Sequence, residues 1–234
     1  MDLKTARVLV TGGSSGIGRA TARLLRERGA RVVICGRDEQ RLRAAAEETG
    51  ATAIRADVAD EADVRRLVDG VLQTLGGYDV LVNNAGLGTF APLLETTADD
   101  FRRVWETNVL GAMLVARESA RHFVTQGRGN IVNVASTAGQ RAGAGGSAYA
   151  STKFALSGLT QSWRAELRKH NVRVMQVNPS EVVTDFFRAA GGSQSDDPSK
   201  LHPEDIAHVI ASMLALEDRG FVTEASVWAT NPAT

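Results

Sequence analysis

The chain has 234 residues, 43% hydrophobic and 23% charged, which is the make-up of one globular domain able to bury a large core. Its 27 basic and 27 acidic side chains cancel, which argues against nucleic acid or an anionic membrane surface as the main partner. No apolar run approaches the roughly 20 residues of a membrane span, and the opening MDLKTARVLVTGG lacks a signal-peptide layout. A lone cysteine, Cys35, excludes internal disulfides and fits a cytoplasmic protein; at the end of an apolar run it reads as a buried strand residue. The four histidines, His122, His170, His202 and His208, have no ligand spacing, so no metal site is expected.

Short apolar runs alternate with longer amphipathic ones along the whole chain. Strands are expected at Ala6–Thr11, Arg31–Cys35, Thr52–Ala56, Val80–Asn83, Asn130–Ala135, Val172–Val177 and Ser226–Trp228. Helices are expected at Ile17–Arg28, Glu39–Thr49, Glu61–Leu75, Ala98–Gln126, Tyr149–His170 and Pro203–Glu217. Continuous apolar strands indicate a sheet covered on both faces. Strict alternation then implies right-handed crossovers and a doubly wound parallel α/β sheet. No linker or repeat divides the chain, so residues 1–234 read as one domain. The Gly- and Ser-rich segment over 186–202 follows a late strand, where a substrate loop or a plain surface loop fits equally well.

After the first strand comes Thr11-Gly12-Gly13-Ser14-Ser15-Gly16-Ile17-Gly18, opening into a helix. Glycines there permit a tight turn and bring backbone N–H groups and a helix N-terminus to a pyrophosphate. Gly12, Ser14, Ser15, Gly16, Ile17 and Gly18 are therefore candidate cofactor contacts. The second strand ends in Cys35-Gly36-Arg37-Asp38. An NAD site needs a carboxylate at that point; here Gly36 offers none, while Arg37 suits a 2′-phosphate. Asp38 fits better as the N-cap of the next helix. NADP(H) is thus expected over NAD, with Arg37 as a merely solvated arginine the other reading. Arg41 and Arg43 read as a solvated helix face.

In the stretch SAYASTKFAL, Tyr149 and Lys153 stand four residues apart and project from one helix face. A phenol of pKa about 10 needs a neighbouring ammonium to reach the working range of a proton carrier. Ser136, thirteen residues earlier, is placed to hold a carbonyl oxygen. The pair alone is a common pattern, and each residue has a structural alternative as a cap, a turn or a core aromatic.

Taken together in order and spacing, these motifs resemble the short-chain dehydrogenase/reductase family over essentially the whole chain. The carrying residues are Thr11–Gly18, Asp57-Val58, Asn83-Asn84-Ala85-Gly86, Asn108, Ser136, Tyr149-x-x-x-Lys153, Asn178-Pro179 and Val183-Thr184. The resemblance implies a Rossmann-type fold of about seven strands with helices on both faces, and a catalytic set of Asn108, Ser136, Tyr149 and Lys153. By the same resemblance Asp57 and Val58 contact the adenine, and Asn84, Ala85 and Gly86 support the cofactor. Pro179, Val183 and Thr184 hold its nicotinamide end, while Tyr149 and Lys153 also touch it. Asn108 is implied to hold a water relay to Lys153. One departure stands out: Ser180-Glu181 follow Pro179 where the family usually has glycine. The implied activity is NADP(H)-dependent interconversion of a ketone and a secondary alcohol, of the 3-oxoacyl-thioester or small-carbonyl type. A sugar or polyol dehydrogenase and a catalytically silent NADP-binding regulator are the alternatives. A homo-oligomer, tetramer or dimer, is expected by analogy, pairing the two long helices. The stripe Ala155, Leu156, Leu159 and Trp163 faces either that interface or the chain's own sheet.

Overall fold

A computed structural model describes residues 1–190 and 199–230, so the part of the expected substrate loop over 191–198 lies outside the described residues. Seven parallel strands form one sheet: β1 (Arg7–Thr11), β2 (Arg31–Gly36), β3 (Thr52–Arg55), β4 (Val80–Asn83), β5 (Gly129–Val134), β6 (Val172–Pro179) and β7 (Glu224–Val227). Their order is β3-β2-β1-β4-β5-β6-β7, so the chain winds outward from β1 in one direction and then from β4 in the other. The reversal opens a crevice beyond the carboxyl ends of β1 and β4, where such sheets bind ligands.

Successive residues of each strand enter opposite cores, as the two-residue period of a strand requires. Val8, Val10, Ile34 and Val82 pack with Ala22 and Leu25 of α1 (Gly16–Glu27), with Leu42 of α2 (Glu39–Thr49), and with the late helix Pro203–Ala215. Leu9, Val33, Leu81 and Ile131 pack on the other face against Val64, Leu67 and Val71 of α3 (Glu61–Leu75) and against a long helical run. The edge strands β3 and β7 hold only exposed and half-buried residues, whereas β4, β5 and β6 are buried throughout. Cys35 lies fully buried in β2, and burial pushes its thiol up to about 12, which leaves it unreactive.

The expected helix over Ala98–Gln126 is not uniform. It consists of α4 (Ala98–Trp105), a π-helical segment Glu106–Gly111, and α5 (Ala112–Gln126). The wide turn seats Asn108 inward and brings Gly111 against Val58, where an added Cβ would stand 2.8 Å from a Val58 methyl. Such widened turns cluster at functional sites. Then come α6 (Ser147–Leu167), a four-residue helix α7 (Phe186–Ala189) that the sequence pattern did not announce, and α8 (Pro203–Ala215). β7 begins two residues before its expected start because register with β6 (Gln176 to Glu224), rather than an apolar run, defines it. In the α6 stripe, Leu156 is buried and Trp163 packs into the core, so those two face their own chain.

Candidate active site

The turn after β1 is held by close backbone contact with the turn after β4. Gly12 (φ 64°) and Gly16 (φ 50°) adopt left-handed conformations that side chains disfavour. A Cβ at Gly12 would stand 2.9 Å from Ala85 Cα, and one at Gly18 would stand 2.4 Å from the Gly12 carbonyl oxygen. Thr11 Oγ1 accepts from the amides of Asn84 and Ala85, both at 2.9 Å, and Asn84 Nδ2 donates to the Thr11 carbonyl at 2.9 Å. Thr11, the first residue of the glycine motif, is therefore a positioning residue. Ser15 caps α1 without a side-chain bond, so the first N–H groups of the helix are left for a ligand.

A cleft of about 610 Å³ runs from this turn across the carboxyl ends of the strands. Of the expected residues, Gly12, Ser14, Ser15, Gly16, Ile17, Arg37, Asp57, Val58, Asn84, Ala85, Gly86, Ser136, Tyr149, Lys153, Pro179 and Thr184 all line it. Three do not. Gly18 serves close packing of the turn, Val183 donates its amide to Leu201 O at 2.8 Å, and Asn108 is buried behind the wall.

At the outer end, Asp38 caps α2 by accepting from the Arg41 amide at 3.0 Å, as its position predicted. No carboxylate replaces it at the tip of β2. The exposed Arg37 guanidinium makes no ion pair among the described residues. Arg43 pairs with Glu39 on the solvent side, and Arg41 is likewise exposed on α2. It lines the cleft and lies 3.7 Å from Asp185, whose segment follows β6 across the opening. Two arginines and no carboxylate from β2 fit a phosphorylated ribose. A glycine turn without room for side chains and an open helix terminus fit a pyrophosphate.

At the inner end, Ser136 follows β5 and caps a short turn by accepting from the Ala138 amide at 3.1 Å. That turn lies directly on α6, since a Cβ at Gly139 would stand 2.8 Å from the Lys153 carbonyl group. Tyr149 occupies the first turn of α6 and Lys153 the next, with Nζ 5.6 Å from the phenol ring centre. The geometry of the pair is as expected; its electrostatics are not. Burial pushes the Tyr149 phenol up to about 12, with the Ser136 hydroxyl pulling weakly the other way. Burial also pulls Lys153 down to about 8, and its ammonium donates to the Val134 carbonyl at 2.9 Å. Desolvation therefore exceeds the attraction that was expected to lower the phenol pKa.

Asn108 Nδ2 donates to Leu87 O at 2.9 Å and to Thr152 Oγ1 at 3.0 Å, while Oδ1 accepts from the Leu87 amide at 2.9 Å. It pins the β4 loop to α6 rather than facing the cleft. Ser180 and Glu181 both line the mouth, and the exposed Glu181 carboxylate is ion-paired with Lys200. Phe90 and Phe186 flank the Tyr149 ring at 5.5 and 5.3 Å between centres. Phe90 lies in the loop after β4 and Phe186 opens α7, and no periodicity assigns them to one site.

A family model described as short chain dehydrogenase matches residues 6–195. An uncharacterized oxidoreductase of Bacillus subtilis (strain 168), YxnA, is 35% identical over 221 residues, covering 89% of this chain and 62% of that protein's length. The crystal structure of a 3-ketoacyl-(acyl-carrier-protein) reductase from Brucella melitensis complexed with NADH superposes with a TM-score of 0.90 at 29% identity, covering 97% of this chain and 98% of that one. A metagenomic short-chain oxidoreductase in complex with NADP superposes with a TM-score of 0.85 at 35% identity, covering 98% of this chain and 100% of that one.

The burial of Lys153 has a direct readout. Its ¹⁵N-detected titration in the cofactor-free protein is expected near pH 8, the cation being present below that value and lost above it. A midpoint at the ordinary 10.5 would show that the ammonium is solvated and that burial does not govern the pair.

Proposed function

This chain belongs to the short-chain dehydrogenase family, and from that premise we propose that it is an NADP(H)-dependent oxidoreductase interconverting a ketone and a secondary alcohol. The observation that carries the reading is one continuous cleft. It begins at the glycine turn and the free end of α1 and finishes where the Ser136 and Tyr149 hydroxyls meet. When bound, the nicotinamide supplies or accepts the hydride.

The chain's own residues supply position and protons. The Ser136 hydroxyl donates to the substrate oxygen and stabilises charge that develops there. Tyr149 transfers the proton to that oxygen. A phenol held near 12 is fully protonated at neutral pH, so it stands ready as the acid in the reducing direction. An alkoxide is a stronger base than a phenolate, so the transfer runs downhill even from this raised value. Lys153, cationic below about pH 8, lies beside the phenol and stabilises the phenolate left after transfer. Asn108 acts one step removed, through the loop carrying Leu87 and through Thr152 on α6. Preference for NADP rests on Arg37 and Arg41, with Asp38 committed to its helix cap. A cytoplasmic homo-oligomer remains the reading for assembly and location. The assembly is supported by Phe101 of α4, Leu110 of the π-helical segment and Phe154 of α6, which are 38%, 41% and 46% exposed.

Tyr149→Phe is expected to lower kcat for NADPH-dependent ketone reduction by about 10²- to 10⁴-fold while NADPH still binds. Near-normal turnover of that variant would exclude Tyr149 as the proton carrier. Arg37→Asp should raise the kcat/KM ratio of NADH over NADPH, and more so when combined with Arg41→Gln. An unmoved ratio means that neither arginine reads the 2′-phosphate. Light scattering is expected to give a multiple of 24.9 kDa, and a monomer alone removes the assembly.

A further inference from the structure

The substrate end of the cleft has a chemical character that the proton-transfer set does not explain. Phe90 comes from the loop after β4, Tyr149 from the start of α6, and Phe186 from α7. Their ring centres form a triangle of 5.5, 5.3 and 6.4 Å, with tilted planes at 53°, 57° and 78°. These are favourable edge-to-face separations for aromatic groups. Gly88 makes the arrangement possible, because a Cβ there would stand 2.8 Å from the Phe186 ring and 3.0 Å from the Phe90 ring. Phe90 keeps 37% of its surface exposed, so part of its ring remains available beside the phenol.

Among the described residues, the polar side chains lining this end are Ser136, Thr137, Arg141, Tyr149, Ser180 and Glu181. Ser136 and Tyr149 are engaged by the reacting oxygen, Arg141 is exposed, and Glu181 is paired with Lys200 at the mouth. A sugar or polyol lying here would set the hydroxyls next to its reacting carbon against phenylalanine carbon. A buried hydroxyl without a partner is disfavoured, whereas a flat apolar group gains edge-to-face contact on the same surface.

We propose that Phe90 and Phe186 form a specificity pocket beside Tyr149 that selects ketones carrying an aryl or other flat apolar group, with Gly88 as the residue that lets the rings close. The inference rests on the oxidoreductase reading above and names the substrate class of that site. In the step itself, hydride from NADPH bonds to the carbonyl carbon and the C=O π pair moves to oxygen. Tyr149 gives its proton to that oxygen, leaving a secondary alcohol, NADP⁺ and a phenolate that solvent reprotonates.

The test measures kcat/KM with NADPH for acetophenone, butanone and D-fructose in the full chain and in Phe90→Ala and Phe90→Leu. The parent enzyme is expected to prefer acetophenone over butanone by about tenfold or more, and fructose is expected to be the poorest. Phe90→Ala should cut the acetophenone value by about ten- to hundredfold and shrink the acetophenone-to-butanone ratio accordingly. Phe90→Leu keeps an apolar side chain of similar bulk, and guards against misfolding; it should shrink the same ratio with NADPH affinity retained. Equal losses on both ketones in Phe90→Leu, or fructose turned over faster than acetophenone, would overturn the pocket while leaving hydride transfer intact. NADPH that binds but is oxidised by none of the three would overturn the oxidoreductase reading and the pocket with it.

Discussion

The architecture depends on one close approach, between the turn leaving β1 and the turn leaving β4. These are neighbouring strands at the point where the sheet reverses direction. The Thr11 hydroxyl takes two backbone N–H groups from the β4 turn, and Asn84 returns a side-chain bond to the Thr11 carbonyl. Nothing larger than hydrogen fits at Gly12 or Gly18 while that contact holds. The free end of α1 is thereby set at the floor of the crevice, level with the ends of β5 and β6 that carry Ser136 and Pro179. A phosphate-binding end and a proton-transfer end thus share one cleft because two loops meet backbone to backbone.

The chemistry at the inner end is governed by burial. Tyr149 and Lys153 both lose solvent on folding, and each moves toward its neutral form, the phenol up and the ammonium down. A simple ion-pair picture predicts the reverse for both. The Lys153 ammonium finds its partner in the Val134 carbonyl at the end of β5, so the strand that delivers Ser136 also anchors the lysine. This coupling of strand end to helix start explains why Gly139 must lie flat on α6. A Cβ there would stand 2.8 Å from the Lys153 carbonyl group.

Much of the fold was legible because its strands are buried on both faces and its helices are amphipathic. Val80–Asn83 and Glu61–Leu75 appear with the bounds that periodicity assigned them. Legibility failed where geometry departs from a regular period. The π-helical turn at Glu106–Gly111 has helical composition, so nothing in its period sets it apart from the helices on either side. β7 is an edge strand defined by its partner, and α7 is too short to show a period. Arg41 illustrates the same limit in the site. Its helix position marks a solvent face, yet the neighbouring segment after β6 turns that face into a wall of the cleft.

By itself the sequence determined the order of elements, the glycine turn between the first strand and the first helix, and the spacing that puts Tyr149 and Lys153 on one face. These are local properties, dictated by backbone sterics and helical period. Tertiary structure alone decided which loops converge. It joined Phe90 and Phe186 around the phenol, withdrew Asn108 behind the wall, and turned Arg41 toward the opening. It also set the proton affinities, because desolvation depends on everything that surrounds a group and no spacing along the chain records that.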